Sequence, residues 1–131
     1  MKNRTRSIEH GTSGNKIYSS YHQKLYDLMD DYVHLVYDIS KFFPKDEIYG
    51  LTSQYRRSAL STILNFIEGY ARMRKNVFKQ FIEISYGSLK ESKYLTEFSY
   101  KRKYIEKDDY NKLINLAEEI GRMLWGILSK L

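Results

Sequence analysis

In the stretch "YNKLINLAEEIGRMLWGILSKL", residues 110–131, the apolar residues Tyr110, Leu113, Ala117, Ile120, Leu124, Ile127 and Leu131 recur at intervals of three, four, three, four, three and four. That spacing lines one face of an α-helix, whereas a strand would alternate every second residue. Asp108 or Asp109 stands where an N-cap is expected. Ile114, Leu116, Met123, Trp125 and Leu128 are apolar as well, more than a single seam needs.

Moving back along the chain, "YKRKYIEKDD" (100–109) reads as a turn, and the helix before it uses Phe78, Phe81, Ile82, Leu89, Leu95 and Phe98. Its middle is small and polar at Ser85, Gly87, Ser88 and Ser92, which lets a neighbouring helix approach closely. "RKN" (74–76) is a tight connection with Asn76 as its expected N-cap. The helix before that begins near Leu51, with Thr52 or Ser53 as cap, and presents Ala59, Leu60, Ile63, Leu64, Phe66, Ile67, Tyr70 and Ala71.

Pro44 and the loop "PKDEIYG" (44–50) separate this helix from a first one. There Tyr18, Tyr21, Leu25, Leu28, Tyr32, Leu35, Ile39 and Phe42 again step by three and four. Met29, Val33, Val36 and Phe43 look surplus to that seam. Residues 1–16 read as a polar N-terminal arm, leaving 17–131 as the folded domain. Four helices with short connections predict an all-α, antiparallel up-down-up-down four-helix bundle. Surplus apolar residues on the first and last helices predict self-association.

The chain has 131 residues, 42% of them apolar, which suffices for one domain with a core. It contains no cysteine, so disulfides and thiolate chemistry are excluded. No apolar run reaches the roughly 18–20 residues that span a bilayer. The basic start has no apolar signal-peptide segment, so no membrane association and a cytoplasmic location are expected.

Net charge is +6, and residues 72–103 alone account for it, with nine cations against Glu83, Glu91 and Glu97. Arg72, Arg74 and Lys75 crowd one turn. Lys101, Arg102 and Lys103 crowd another, flanked by Tyr100 and Tyr104. Lys79, Lys90 and Lys93 can link the two turns along the third helix. Cations hold phosphates and tyrosines stack on unpaired bases, so this set is the expected RNA or DNA contact. The competing reading is a solvated lysine face in a protein from an AT-rich genome.

Asn65 and Glu68 interrupt an apolar run at i, i+3. With Arg56 and Arg57 they suggest a structural polar network, and Arg72 is the donor nearest Glu68 in sequence. Gly69 beside them lets another backbone pass close. Histidines 10, 22 and 34 do not have zinc-helix spacing, and no nucleophile elbow or phosphate-cradling glycine loop is present. No catalytic residue, metal or cofactor is expected.

Phe43-Pro44, Tyr49-Gly50-Leu51-Thr52-Ser53-Gln54, Arg56-Arg57, Ala59, Ser61, Asn65, Glu68-Gly69-Tyr70, Arg72, Phe78, Phe81, Gly87-Ser88-Leu89 and Glu91 form a pattern over residues 21–131. It resembles the bacterial four-helix-bundle family of 23S ribosomal RNA intervening-sequence proteins. The ending "LAEEIGRMLWGIL" (116–128) is also similar to the accessory variability proteins of diversity-generating retroelements. The resemblance implies a homo-oligomeric bundle, a ring of five, without known catalysis. For the retroelement relatives it implies a basic surface that contacts nucleic acid and a reverse transcriptase. The chain departs from the first pattern at Ile63, where that family has proline, at Leu64 and Ile67, where it has small residues, and at Lys103, where it has a helix-ending glycine.

Overall fold

The computed structural model describes residues 18–131, so the expected arm, residues 1–16, lies outside the described residues. Four helices follow one another: α1 (Ser20–Ser40), α2 (Leu51–Tyr70), α3 (Lys75–Lys101) and α4 (Lys107–Leu128), with one 3₁₀ turn, Lys45–Glu47, between α1 and α2. Each helix packs on its chain neighbours and α4 closes against α1, which is the up-down-up-down bundle. Among the described residues there is no strand, and no helix is long and apolar enough to cross a membrane.

The core of α1 differs from its expected seam. Leu25, Met29, Tyr32, Val36 and Ile39 are buried, stepping by four and three, with Val33 and Phe43 beside them. Tyr21 and Phe42, members of the expected seam, are exposed, Phe42 at 84%. Two three-four patterns overlap in α1 and share positions 25, 32 and 39. Packing against both α2 and α4 selects the one centred between those neighbours. Met29, Val33, Val36 and Phe43, beyond the expected seam, are therefore core; on α4 Met123 is core too, while Ile114, Leu116 and Leu128 are half-buried and Trp125 is exposed. The buried ones supply no surface for a second subunit. Each helix keeps some apolar side chains exposed; along α2 and its C-cap, Leu60, Leu64, Ile67 and Ala71 step by four, three and four and the last three are exposed.

The small polar centre of α3 faces inward. Ser85, Ser92, Thr96 and Ser99 are buried with Ile82 and Leu89. Ser85 Oγ donates to the Thr62 carbonyl at 2.6 Å, and Ser61 and Ser88 hydroxyls meet at 2.8 Å across α2 and α3, the most extensive helix contact. Gly69 is part of this close approach, because a Cβ there would stand 3.1 Å from Phe81 Cβ. Gly87 is not, since it is exposed and a Cβ there would meet nothing within 4 Å.

The helix starts differ from the expected caps. The N-caps are Gly50, Arg74 and Glu106, none with a side-chain cap bond. Thr52 is drawn into the core, and the Leu51 amide donates to Glu47 Oε1 at 3.2 Å instead. Asn76 lies inside α3, and Asp108 and Asp109 lie in the first turn of α4, where carboxylates suit the helix dipole. At the other end of α3, Lys103 takes a left-handed φ of 66°. Tyr104 N–H donates to the Ser99 carbonyl and Lys103 N–H to the Tyr100 carbonyl, both at 2.9 Å, a Schellman ending.

Candidate nucleic-acid interface

A 27-residue helix is about 40 Å long, so α3 carries its two basic turns to opposite ends of the bundle. On a wheel of 100° per residue, Lys75, Lys79, Lys90, Lys93 and Lys101 fall within about 80° of one another. Glu83 and Glu97 share that sector, which leaves five cations against two carboxylates. Lys75, Lys79, Lys90 and Lys101 are exposed and Lys93 is half-buried. Lys75, Lys79, Lys101 and Lys103 make no ion pair among the described residues, and their ammonium groups are open to an external anion.

Other members of the expected set already have partners. Arg72 is paired with Glu68 one helical turn earlier and lies over the Phe81 ring, 5.2 Å from its centroid. Arg74, beyond it, is exposed. Lys93 Nζ is 3.3 Å from Glu118 Oε2, which ties α3 to α4. Both tyrosines flanking the second turn are engaged. Tyr100 stacks on Tyr110 with centroids 4.1 Å apart, and Tyr104 packs against Phe43 at 5.5 Å while its hydroxyl donates to Glu47 Oε2 at 3.4 Å. Arg102 lies over the Tyr104 ring at 5.9 Å. The Tyr100–Tyr110 stack ties α3 to α4, and Tyr104 braces their turn against the loop that follows α1.

Asn65, Glu68, Arg56 and Arg57 do not form one network. Asn65 Nδ2 donates to the Ser61 carbonyl at 2.8 Å and to Ser61 Oγ at 2.9 Å, joining the serine contact of α2 and α3. Glu68 is exposed and turns to Arg72. Arg56 reaches the end of α1, donating to Ser40 Oγ at 2.7 Å and to the Tyr37 carbonyl at 3.3 Å, with Tyr37 beneath its guanidinium. Arg57 is exposed. Helix geometry separates them, because Arg56 faces α1 while Asn65 faces α3.

The sequence reading missed a groove of about 300 Å³ between α3 and α4. Its walls carry Tyr86, Lys90 and Lys93 from α3, and Glu118, Arg122 and Trp125 from α4. Both triads step by four and then three, a repeat visible in the sequence, but their facing one another depends on the register set by the 102–106 turn. Trp125 is 58% exposed. Among the described residues no group of three or more histidine, aspartate or glutamate side chains gathers as a metal ion would need. His34 Nε2 is 3.5 Å from Asp30 Oδ1.

The sequence model of the family described as 23S rRNA-intervening sequence protein matches residues 22–126. A solved structure from Bacteroides thetaiotaomicron VPI-5482, described as a protein with unknown function from the S23 ribosomal protein family, is similar in fold. The two share 21% identity with a TM-score of 0.74, over 79% of this chain and 97% of that one. No curated protein matches.

Proposed function

The chain belongs to the 23S rRNA-intervening sequence protein family, and from that premise we propose that it is a non-enzymatic, homo-oligomeric bundle that binds the backbone of RNA or DNA through α3. The observation that carries this reading is the row of exposed, largely unpaired lysines on one side of α3, continued at its ends by Arg74 and by Lys103. Such a row matches a polyanion along its length and reads charge rather than sequence. Self-association is supported by the exposed Leu64, Ile67 and Ala71 on α2, an apolar stripe that a second subunit can cover. A ring of five, and a role as accessory to a process such as retroelement reverse transcription with a reverse transcriptase as partner, complete the proposal. Both of these rest on the resemblance.

The test is fluorescence anisotropy with a labelled structured RNA and a labelled duplex DNA at low and high salt, repeated with Lys75, Lys79 and Lys101 changed to glutamate. Binding that weakens steeply with salt and disappears in the variant is expected. Absence of binding at low salt would reject the reading in favour of a scaffold that holds a partner protein on α2.

A further inference from the structure

We propose that the groove between α3 and α4 is a binding site for an unpaired nucleotide of a single-stranded nucleic acid, with the base on Trp125 and the flanking phosphates on Lys90 and Arg122. The inference rests on the nucleic-acid reading above and adds a strand state and a contact to it.

Trp125 is the only tryptophan in the chain, and it holds its indole largely in water on an otherwise strongly amphipathic helix. Exposing so large an apolar ring has a cost, and a stacking partner would remove it. The Tyr86 ring lies 6.0 Å away at 40° and forms the opposite wall. Lys90 Nζ sits 5.1 Å from the Tyr86 centroid, so that ring is covered by a cation while Trp125 stays largely exposed. Gly121 adds no side chain to the groove floor. Tyr86 meets the indole on one side only, and with more than half of its surface exposed Trp125 is the groove's open aromatic platform.

Its rim carries three cations and one carboxylate. Glu118 and Lys93 neutralise one another, which leaves Lys90 and Arg122 as the net positive charge of the rim. An aromatic platform ringed by cations is the arrangement that takes a base and its phosphates, tolerant of sequence because every base has a π-face. A second copy of the same groove would instead bring positive charge against positive charge. The tyrosines that the sequence suggested for stacking, Tyr100 and Tyr104, are occupied by Tyr110 and Phe43. A paired base inside a duplex cannot present its face to Trp125, so the site distinguishes single strands from duplexes.

The single indole also reports on its own occupancy. Oligouridylate and oligothymidylate, which separate RNA from DNA as the source, are titrated against the full chain alongside a blunt duplex, following Trp emission and anisotropy. The single strands should quench Trp125 and the duplex should not. Trp125→Ala should weaken single-strand binding about tenfold and leave duplex binding within about twofold, and Trp125→Phe should restore most of the loss. Single-strand affinity unchanged in Trp125→Ala, with the lysine variants still defective, would overturn the groove assignment and leave the lysine reading standing. Equal loss of single-strand and duplex binding together with a change of mass in light scattering would make the groove a subunit contact, which also overturns it. If the unaltered protein binds no nucleic acid at low salt, the lysine reading fails and the groove assignment falls with it.

Discussion

The Tyr32 hydroxyl of α1 lies 2.7 Å from Ser92 Oγ of α3, a buried hydrogen bond that crosses the bundle on its diagonal. Close by, a second buried hydrogen bond joins the neighbouring helices α2 and α3, Tyr55 to Thr96 Oγ1 at 2.6 Å. Ser92 and Thr96 of α3 are small enough to admit Tyr32 and Tyr55, and their hydroxyls satisfy the buried phenols. Tyr32→Phe should destabilise the fold by about 1–2 kcal/mol, and Ser92→Ala similarly. The double variant should lose less than the sum of the two, since one bond is removed twice. Urea unfolding followed by Trp125 emission measures each. Full additivity would mean that the bond contributes nothing.

The two helical glycines Gly69 and Gly87 should respond in opposite directions. Gly87→Ala adds helix propensity in open space and should stabilise by about 0.5–1 kcal/mol. Gly69→Ala gains the same propensity but drives its methyl against Phe81 Cβ, which is fixed to its own helix and cannot swing away. A net loss of about 1–2 kcal/mol is expected. Melting temperatures by circular dichroism decide both.

Lys103→Gly should raise stability by about 1 kcal/mol, because φ of 66° is strained for lysine and natural for glycine. The Schellman bonds need no side chain and should survive. A melting temperature at or below that of the unaltered protein would show that the lysine side chain has a stabilising role outweighing the strain.

His22 packs edge-on against Tyr70 at 5.1 Å and Phe66 at 6.1 Å, and its partial burial lowers its pKa from the usual 6.5. The unfolded chain therefore takes up this proton more readily than the folded one. The contribution is intact above the unfolded value and is lost as pH falls below it toward the depressed folded value. The drop in melting temperature from about pH 7.5 to about pH 5.5 should be smaller in His22→Phe than in the unaltered protein. Equal drops would assign the acid sensitivity elsewhere.

The sequence carried the number of helices, their order and the α4 seam because apolar spacing at three and four survives in any packing arrangement. It could not choose the phase of α1, where two such patterns share Leu25, Tyr32 and Ile39 and only the neighbouring helices decide between them. Cap residues were misplaced because Thr52 is more useful in the core than at a helix start, while Glu47 serves the Leu51 amide from a separate turn. The lysine row on α3 was legible as charge density, and the helix made it a line. Trp125 counts in the sequence among the surplus apolar residues that predict self-association. Its place off the α4 seam is local, but its facing Tyr86, Lys90 and Lys93 follows from the register of α4 on α3, which no local pattern encodes.

The most direct test of the central claim is the salt dependence of nucleic-acid binding, measured for single alanine variants of Lys75, Lys79, Lys90 and Lys101, with Lys24→Ala on α1 as control. Lys24 is paired with Glu119 and lies off the α3 row. Each α3 variant should reduce the slope of log affinity against log salt by about one, and the control should leave it unchanged. Slopes that are identical for all five variants and the unaltered protein would contradict the assignment of α3 as the binding surface.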